Sequence, residues 1–271
     1  MDNRSRFLIK IDALQRLLMI NALSGSLPLY IVTEYPKSGG TWFSQMLSTY
    51  LGVPFPRNQR PAINSCVMHG HYLYSPFMKN VICVVRDGRD VVVSAYYHML
   101  FYNEKNTPHL VEETRKLNVF SDYDDITSNL PAFIEYLFAV ENKKLFHFNW
   151  GQFLESWLDK PNAILVKYED LLEDAAVALQ PVLEKLTGEE VDTQRLVEIR
   201  ERFSFKAQSK REPGQEDSGS FLRKGIAGDW KNKFDRAACE AFDYYAGDPL
   251  IQAGYEKDRR WLTERGVSKK A

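Results

Sequence analysis

Residues 35–42, Tyr-Pro-Lys-Ser-Gly-Gly-Thr-Trp, have the types and the spacing to bind an anion. They follow an apolar run at 29–32 that predicts a buried strand, and they lead into 42–51, whose apolar positions recur at helical spacing. In a turn between a strand and a helix, free backbone N–H groups and the positive end of the helix dipole point at the occupant. Lys37 adds a full positive charge. The stretch predicts a phosphate or sulfate site, with an ordinary strand-to-helix turn as the alternative.

The order of residues in this loop differs from that of the usual magnesium-dependent nucleotide loop. In that loop the glycines come before the lysine, and a Ser or Thr follows the lysine to hold the metal. Here Lys37 comes first and Gly39 and Gly40 follow. We therefore expect lysine, arginine and N–H groups to neutralise the anion, and we predict no metal.

Two further basic stretches follow along the chain. The apolar run 81–85 predicts a core strand that ends at Arg86, and Ser94 falls about two turns into the next helix. A guanidinium at a strand end suits phosphate, because its fork bonds two oxygens at once. Residues 221–232, Phe-Leu-Arg-Lys-Gly-Ile-Ala-Gly-Asp-Trp-Lys-Asn, form a basic turn with two glycines.

Together these stretches resemble the sulfotransferases that use 3′-phosphoadenosine 5′-phosphosulfate (PAPS). Residues 36–42 resemble the family's 5′-phosphosulfate loop, Pro-Lys-[Ser/Ala]-Gly-Thr-[Thr/Ser]-Trp, except that Gly40 stands at the first of the two hydroxyl positions. Residues 86–94 fit the pattern Arg-x-x-[Arg/Lys]-Asp-x-x-x-Ser, and 223–231 match Arg-Lys-Gly-x-x-Gly-Asp-Trp-Lys almost letter for letter. At Gly40 a side-chain donor is lost, and we expect the backbone N–H to remain for the anion.

The resemblance implies transfer of a sulfuryl group from PAPS to a hydroxyl or amine of a small-molecule acceptor, with PAP as the product. It places Arg86, Ser94 and Arg223 at the 3′-phosphate, and Trp42 and Tyr168 at the adenine, although both aromatic residues could serve core packing. The residues it assigns to the nucleotide are Lys37, Ser38, Gly39, Gly40, Thr41, Trp42, Arg86, Ser94, Tyr168, Phe205, Phe221, Leu222, Arg223, Lys224 and Gly225.

Between the predicted phosphate contacts, Arg89 and Asp90 are expected to form an internal salt bridge that pins the turn after the core strand. Phe203 stands where the family usually has a hydroxyl residue.

Sulfuryl transfer needs a base near the acceptor and positive charge near the leaving phosphate. Lys37 is the predicted source of the charge. The family carries a histidine base in a Lys-Thr-His context, and aligning that context on His69-Gly70-His71 makes His71 the base. A shifted alignment would make His69 the base; His71 is favoured. The two histidines could also bind a metal from one face of an extended strand, but no third ligand lies nearby in sequence.

Strands predicted at 29–32, 65–69, 81–85 and 163–166 alternate with helices, which predicts an α/β fold with a parallel sheet and helices on both faces. The resemblance makes this a P-loop-like sulfotransferase fold over a single domain, 1–271. Three segments have particular expectations: an N-terminal helix at about 5–23, a variable lid at about 103–129, and a gating loop at about 206–220.

The composition is that of an ordinary globular chain of 271 residues, with 44% hydrophobic residues and a net charge of −1. This charge gives no argument for a nucleic-acid partner. Three scattered cysteines without a CxxC pair predict reduced thiols and a cytoplasmic location. No apolar run is long enough to predict a membrane span. The family's dimer motif lacks its central Thr-Val in this chain, so the oligomeric state stays open.

Two other function classes compete with sulfuryl transfer. A P-loop-type small-molecule kinase would need magnesium ligands, usually a strand-end Asp, whereas the core strand here ends in Arg86. A nucleotide-binding protein without catalysis would not need Lys37 and the two histidines, and all three are present.

Overall fold

The computed structural model of the protein describes residues 6–57, 59, 61, 65–139 and 147–265, and the side chains of all of these except 6–10, 264 and 265. In chain order the elements are α1 (Arg6–Leu18), β1 (Leu29–Glu34), α2 (Gly40–Leu51), β2 (Cys66–Gly70), β3 (Val81–Val85), α3 (Gly88–Tyr97), α4 (Asn103–Asn106), α5 (Pro108–Leu117), α6 (Ile126–Phe138), α7 (Trp150–Trp157), β4 (Ala163–Lys167), α8 (Tyr168–Thr187), α9 (Thr193–Arg202), α10 (Phe205–Ser209), α11 (Arg236–Gln252) and α12 (Trp261–Arg265).

The chain divides into two compact units. The first unit comprises residues 1–86 and 159–212, and it contains the sheet with α1, α2 and α8–α10. The second unit comprises residues 87–158 and 213–271, and it is helical in its described part.

The sheet of the first unit has four parallel strands in the order β2-β1-β3-β4. In register, Val32 of β1 pairs with His69 of β2 and with Ile82 of β3. Each strand lies where the sequence predicts one, so the predicted α/β class with a parallel sheet is confirmed.

One face of the sheet is covered by α2, α8 and α9. Val32, Ile82 and Val84 point to this face and are fully buried in a cluster with Phe43 and Leu47 of α2. Each such side chain stabilises the fold by about 1.5–3 kcal/mol relative to an exposed one. This packing fixes α2 against β1 and therefore fixes the loop between them.

The strand order also determines where the loops meet. The chain leaves β1 to one side for β2 and then crosses back to β3 on the other side. In open parallel sheets, ligands bind beyond the carboxyl ends of the strands at such a switch point. The loop after β1 and Arg86, which follows β3, both belong to this edge of the first unit.

The second unit is built around aromatic side chains. The rings of Tyr96 and Phe133 lie 5.0 Å apart, and those of Trp150 and Phe242 lie 5.7 Å apart. Four of its helices begin at a side-chain cap; at the start of α3, Asp87 accepts from the Arg89 N–H. The remaining side-chain caps of the unit are Asp125 on α6, Asn149 on α7 and Asp235 on α11.

The segment 103–129, predicted as a variable lid, is helical over most of its length. Helices α4 and α5 occupy it, and α6 begins at Ile126. Pro108, which favoured a loop, stands at the first position of α5, where its fixed φ and missing N–H suit a helix start. Val111 and Thr114 are buried, so the segment contributes to the core of the second unit.

Two other predicted segments have structure of their own. A helix, α1, lies within the predicted 5–23 and continues into a π-helical turn at Met19–Leu23. The predicted loop 206–220 begins inside α10 and is irregular only after Ser209. No helix in the described part of the chain is both long and apolar enough to cross a membrane.

Candidate active site

The loop between β1 and α2 has an unusual backbone. Lys37 has φ = 77° and Gly39 has φ = 94°, both in the left-handed region. A residue with a Cβ costs about 1–2 kcal/mol in that conformation, so the position of Lys37 is strained. Alternation of right- and left-handed residues turns successive backbone N–H groups toward one concavity, as in other anion-binding loops. The predicted phosphate loop therefore has the backbone of an anion site.

Gly39 is required both by its φ and by its surroundings. A Cβ added here would lie 2.5 Å from Cδ2 of Tyr168. The Tyr168 ring therefore packs directly against the backbone of Gly39, where there is space for a glycine but not for a side chain.

The hydroxyl of Ser38 is a buried donor at the centre of this loop. The residue is 1% exposed, and its Oγ has no hydrogen-bond partner among the described residues. A buried polar atom of this kind is costly unless something binds to it. The donor set of the loop therefore fits an anionic oxygen.

Gly40 departs from the prediction that its backbone N–H serves the bound anion. That N–H donates to Oε2 of Glu34 over 2.6 Å, and Glu34 is only 4% exposed. A Cβ on Gly40 would lie 2.7 Å from Cδ of Glu34 and 3.0 Å from Nε2 of His69. The Glu34 carboxylate therefore occupies the Gly40 N–H. It also fills the space that a side chain at position 40 would need, so this position requires glycine.

The two candidate histidines lie beside this carboxylate. Nε2 of His69 is 2.9 Å from Oε1 of Glu34, and Nδ1 of His71 is 2.9 Å from the backbone carbonyl of the same residue. The rings of His69 and His71 are 5.6 Å apart and nearly perpendicular. The segment after β2 is held by Thr33, whose hydroxyl donates to the Tyr72 carbonyl and accepts from the Tyr72 N–H.

These contacts assign a tautomer to each ring. A carbonyl oxygen only accepts, so Nδ1 of His71 carries its proton, and in the neutral ring Nε2 holds the lone pair. A carboxylate likewise only accepts, so Nε2 of His69 donates to Glu34. In the neutral rings the lone pair therefore lies on Nε2 of His71 and on Nδ1 of His69.

The pKa values in this cluster are coupled. Burial lowers the pKa of His71, while the charge of Glu34 and the hydrogen bond to its carbonyl raise it; the net pKa lies below the ordinary 6.5. Burial raises the pKa of Glu34, but the hydrogen bond and charge of His69, with the charge of His71 and the Gly40 N–H, outweigh it and hold the pKa below its usual range. At neutral pH this gives an ionised Glu34 next to a neutral His71.

Arg86 supports the loop through two contacts. Its Nη1 donates to the carbonyl of Lys37 over 3.1 Å, and its guanidinium lies 4.4 Å from the ring centroid of Tyr168. Tyr168 in turn meets Trp42 edge-on at 6.0 Å, and Nε1 of Trp42 donates to the Phe203 carbonyl over 2.8 Å. The structure thus brings Arg86, Tyr168 and Trp42 together around one loop.

Arg223 and Lys224 lie in the second unit among carboxylates. Arg223 donates to Glu216 and to Asp229, each over 2.6 Å, and Lys224 donates to Asp229 over 2.6 Å. Burial raises the pKa of Asp229, but the hydrogen bonds from Lys224 and Arg223 outweigh it and bring it to about 2. The ring of Tyr97 lies 4.6 Å from the Arg223 guanidinium. Two cations assigned to a phosphate are here held in place by acidic partners.

The expected salt bridge between Arg89 and Asp90 is wrong. Arg89 pairs with Asp87 at 2.7 Å and with Glu256 at 2.6 Å. Asp90 accepts from the backbone N–H groups of Gly228 and Trp230. The carboxylate of Asp90 is needed there because the turn before Trp230 has N–H groups that no helix or strand satisfies.

The remaining predicted residues are distributed over both units. Thr41 stands in the first turn of α2, and Phe205 begins α10, with the Arg211 guanidinium 5.3 Å from its ring. Ser94 is half-buried on α3 of the second unit. In the turn of the same unit, Phe221 is 43% exposed and meets the rings of His98 and Tyr102, Leu222 is half-buried beside it, and Gly225 has φ = 64°.

Sequence reasoning missed Glu34 as a site residue. The signal was available: a carboxylate at the end of an otherwise apolar strand, directly before an anion loop, is out of place unless something neutralises it. The glycine at position 40 was a second signal, because the absence of a side chain there leaves space for the side chain of a different residue.

A family model described as Sulfotransferase domain matches residues 57–254. The chain is 26% identical to sulfotransferase 1A1 of Bos taurus over 278 residues, which covers 85% of each chain. It is also 26% identical to sulfotransferase 1 family member D1 of Mus musculus over 259 residues, covering 79% of this chain and 80% of the other. The match to the family model includes Arg86, Ser94 and the turn at 223–231, whereas the loop at 35–42 lies before it.

Solved structures match the fold as well. The first is mouse sulfotransferase SULT7A1 complexed with PAP, with a TM-score of 0.61, 18% identity and 93% of both chains covered. The second is retinol dehydratase in complex with androsterone and inactive cofactor PAP, with a TM-score of 0.57, 18% identity and coverage of 89% of this chain and 85% of the other. At this identity the likeness extends to the fold, which is the predicted P-loop-like α/β fold.

The role of Gly39 gives a test of the loop. We expect Gly39→Ala to lower the free energy of unfolding by more than Gly52→Ala, measured by urea denaturation. Gly52 caps α2 at φ = 68° with nothing within 4 Å of an added Cβ, so its substitution carries only the conformational cost of about 1–2 kcal/mol. Gly39→Ala adds the overlap with Tyr168, typically about 1–3 kcal/mol more. Equal losses in the two variants would contradict the close packing of the loop on Tyr168.

Proposed function

Because the chain belongs to the sulfotransferase family, we propose that it transfers a sulfuryl group from PAPS to a hydroxyl or amine of a small-molecule acceptor and releases PAP. The observation that carries this proposal is the loop after β1. There a left-handed backbone and the buried hydroxyl of Ser38 adjoin a histidine pair in which His71 has a basic nitrogen. The complexes of matching structures with PAP, and of one with androsterone, support the same donor and a small acceptor.

PAPS is the donor in this scheme, and it supplies a sulfuryl group already bonded to a phosphate leaving group. Lys37, Ser38, Gly39 and Thr41 would bind the 5′ end through the ammonium, the hydroxyls and the backbone N–H groups. Lys37 would also stabilise the charge that develops on the leaving phosphate. Gly40 would let the backbone of the loop approach the 5′ end closely. Its N–H would not bind the nucleotide, because it already donates to Glu34.

His71 would act as the general base. Its Nε2 takes the proton from the acceptor hydroxyl or amine, while Nδ1 stays bonded to the Glu34 carbonyl and fixes the ring. His69 would position the cluster through Glu34, to which its Nε2 donates, and the resemblance favours His71 over His69 as the base.

The resemblance, applied residue by residue, also assigns the 3′-phosphate end of the nucleotide. We assign the 3′-phosphate to Arg86, Ser94, Arg223 and Lys224, with Phe221, Leu222 and the backbone at Gly225 beside it. Trp42, Tyr168 and Phe205 are assigned to the adenine. The cytoplasm stays the expected location, supported by three cysteines that are buried and form no disulfide with one another.

Turnover tests the function directly. We expect the protein to release PAP from PAPS in the presence of a panel of phenols, alcohols and amines, and to do so with EDTA present. Phosphoryl transfer from ATP that requires magnesium, without turnover of PAPS, would overturn the proposal in favour of the kinase alternative.

Lys37→Ala is expected to lower kcat by about 10²–10³-fold, the usual loss on removal of one charge-stabilising donor from a transition state. The melting temperature should change little, because lysine and alanine both have a Cβ and therefore have a similar conformational cost at this positive φ. Lys185→Ala, at an exposed position near the end of α8, is the matched control and should retain full activity. Full activity of Lys37→Ala would remove the lysine from the mechanism.

His71→Asn is expected to lower kcat by about 10²–10⁴-fold, and His69→Asn by clearly less. In the wild type, kcat/KM should fall as the pH drops through the pKa of His71, since protonation removes the base; that pKa lies below 6.5, so activity persists into mildly acidic buffer. A steady-state pH profile of each protein measures both effects. A greater loss in His69→Asn would make His69 the base.

Arg86→Ala should weaken binding of PAP more than binding of adenosine 5′-phosphate, which lacks the 3′-phosphate. Some loss for both is expected, because Arg86 also holds the Lys37 carbonyl. The ratio of the two dissociation constants, from calorimetry, separates the effects. If the wild-type ratio persists in the variant, Arg86 does not bind the 3′-phosphate.

A further inference from the structure

Glu34 is a buried acid that the proposed chemistry does not use. It ends β1, is 4% exposed, and its carboxylate contacts two partners of different kinds: the first N–H of α2, at Gly40, and the ring of His69. Its backbone carbonyl holds the ring of His71. One residue therefore contacts the phosphate loop and both histidines.

The position of this carboxylate is chemically unfavourable for an anion site. It puts a negative charge at the N-terminus of α2, where the loop would bind the donor, and it takes up a backbone N–H. Desolvation of a carboxylate is costly as well. A neutral side chain would fill this space at a lower desolvation cost. We therefore look for a functional reason for the charge and the two acceptor oxygens of Glu34.

The strand register explains how Glu34 reaches both partners. Glu34 lies two residues after Val32 and hence on the same face of the sheet, the face that α2 covers. His69 pairs directly with Val32 on the neighbouring strand. A long side chain at 34 can therefore extend between the start of α2 and His69, provided that position 40 has no side chain.

We propose that Glu34 is a positioning residue for sulfuryl transfer, which couples the phosphate-binding loop to the histidine pair and orients His71 toward the acceptor. This rests on the proposed function and deepens it. Oε1 fixes His69, Oε2 fixes the start of α2, and the carbonyl fixes the proton of His71 on Nδ1. Gly40 is the sequence partner of Glu34, because any side chain there would displace the carboxylate.

The charge of Glu34 gives the proposal a specific signature. Glu34 on β1 and His69 on β2 are the titratable groups whose charges act on His71; Glu34 raises the pKa of His71 and His69 lowers it. Removing the negative charge should therefore lower the pKa of His71 further. The acid limb of the pH profile should move to lower pH, while the plateau rate falls because the base is weaker and less well held.

Glu34→Gln tests this with PAPS and the best acceptor of the panel. The amide keeps the shape but has one acceptor oxygen, so it cannot accept from both the Gly40 N–H and the Nε2–H of His69 as the carboxylate does. We expect kcat to fall about tenfold or more, the KM for PAPS to change less than about threefold, and the acid limb to move to lower pH. Glu201→Gln, an exposed glutamate on α9 of the same unit, is the control and should match the wild type.

A merely structural role would give a different result: lower thermal stability with an unchanged kcat and an unmoved acid limb, and that outcome overturns the proposal. Should Glu34→Gln not fold, Glu34→Asp replaces it. Aspartate keeps the charge on a shorter side chain, so kcat should fall while the acid limb stays near its wild-type position. An unchanged kcat in Glu34→Asp would equally contradict the coupling.

A second measurement does not depend on turnover. Nitrogen-15 NMR of the histidine rings should show the proton of His71 on Nδ1 and that of His69 on Nε2 in the wild type, with a mixture in Glu34→Gln. If the wild type fails to turn over PAPS, the proposed function fails, and the tautomers still decide whether Glu34 orients the rings. Tautomers that do not change in Glu34→Gln would overturn the positioning role even in an active enzyme.

The pairing of positions 34 and 40 is tested by a double-mutant cycle. Gly40→Ala should be destabilising and nearly inactive in the wild-type background, because its Cβ meets the Glu34 carboxylate. In the Glu34→Ala background the added Cβ has space, and the further loss of stability should largely disappear. Additive losses would separate the two positions and contradict the coupling.

Discussion

The first unit depends on holding a strained loop. Lys37 has a left-handed backbone that side-chain-bearing residues adopt only at a cost of about 1–2 kcal/mol. Three contacts hold the loop in that form: the Arg86 guanidinium on the Lys37 carbonyl, the Tyr168 ring under Gly39, and the Glu34 carboxylate on the Gly40 N–H. Each comes from a different element of the first unit, and all three elements are fixed by the same hydrophobic core.

Both units place carboxylates among groups that are assigned to anions. In the first unit Glu34 occupies an N–H of α2, and in the second unit Glu216 and Asp229 hold Arg223. In each case a fixed acid keeps a donor or a cation in a defined position. Asp229 stays ionised at physiological pH because its pKa is about 2, so it always pairs with Arg223 as a carboxylate. The side chain of Glu216, on an irregular segment, is 28% exposed, so it is the weaker constraint.

The strands, the anion loop and the candidate histidines could be predicted from the sequence, because apolar runs and glycine-bearing turns are local signals. The contacts of Glu34 and Asp90 could not, because each carboxylate satisfies backbone groups that lie far along the chain or across a turn. The helix at Pro108–Leu117 was missed for a different reason. Its polar composition and its proline are typical of a loop, and its stability comes from the packing of Val111 and Thr114.

The choice between His71 and His69 illustrates what geometry adds to alignment. The sequence offers two histidines on one extended segment, and spacing alone leaves either of them as the base. The structure separates them by their acceptors: a carboxylate for His69 and a backbone carbonyl for His71. Nε2 of His69 donates to the carboxylate, so only its Nδ1 could take a proton, whereas Nδ1 of His71 donates to the carbonyl and leaves Nε2 for that role. Burial lowers the pKa of His71 and keeps its ring neutral at neutral pH, so Nε2 of His71 is the nitrogen that we favour for proton abstraction.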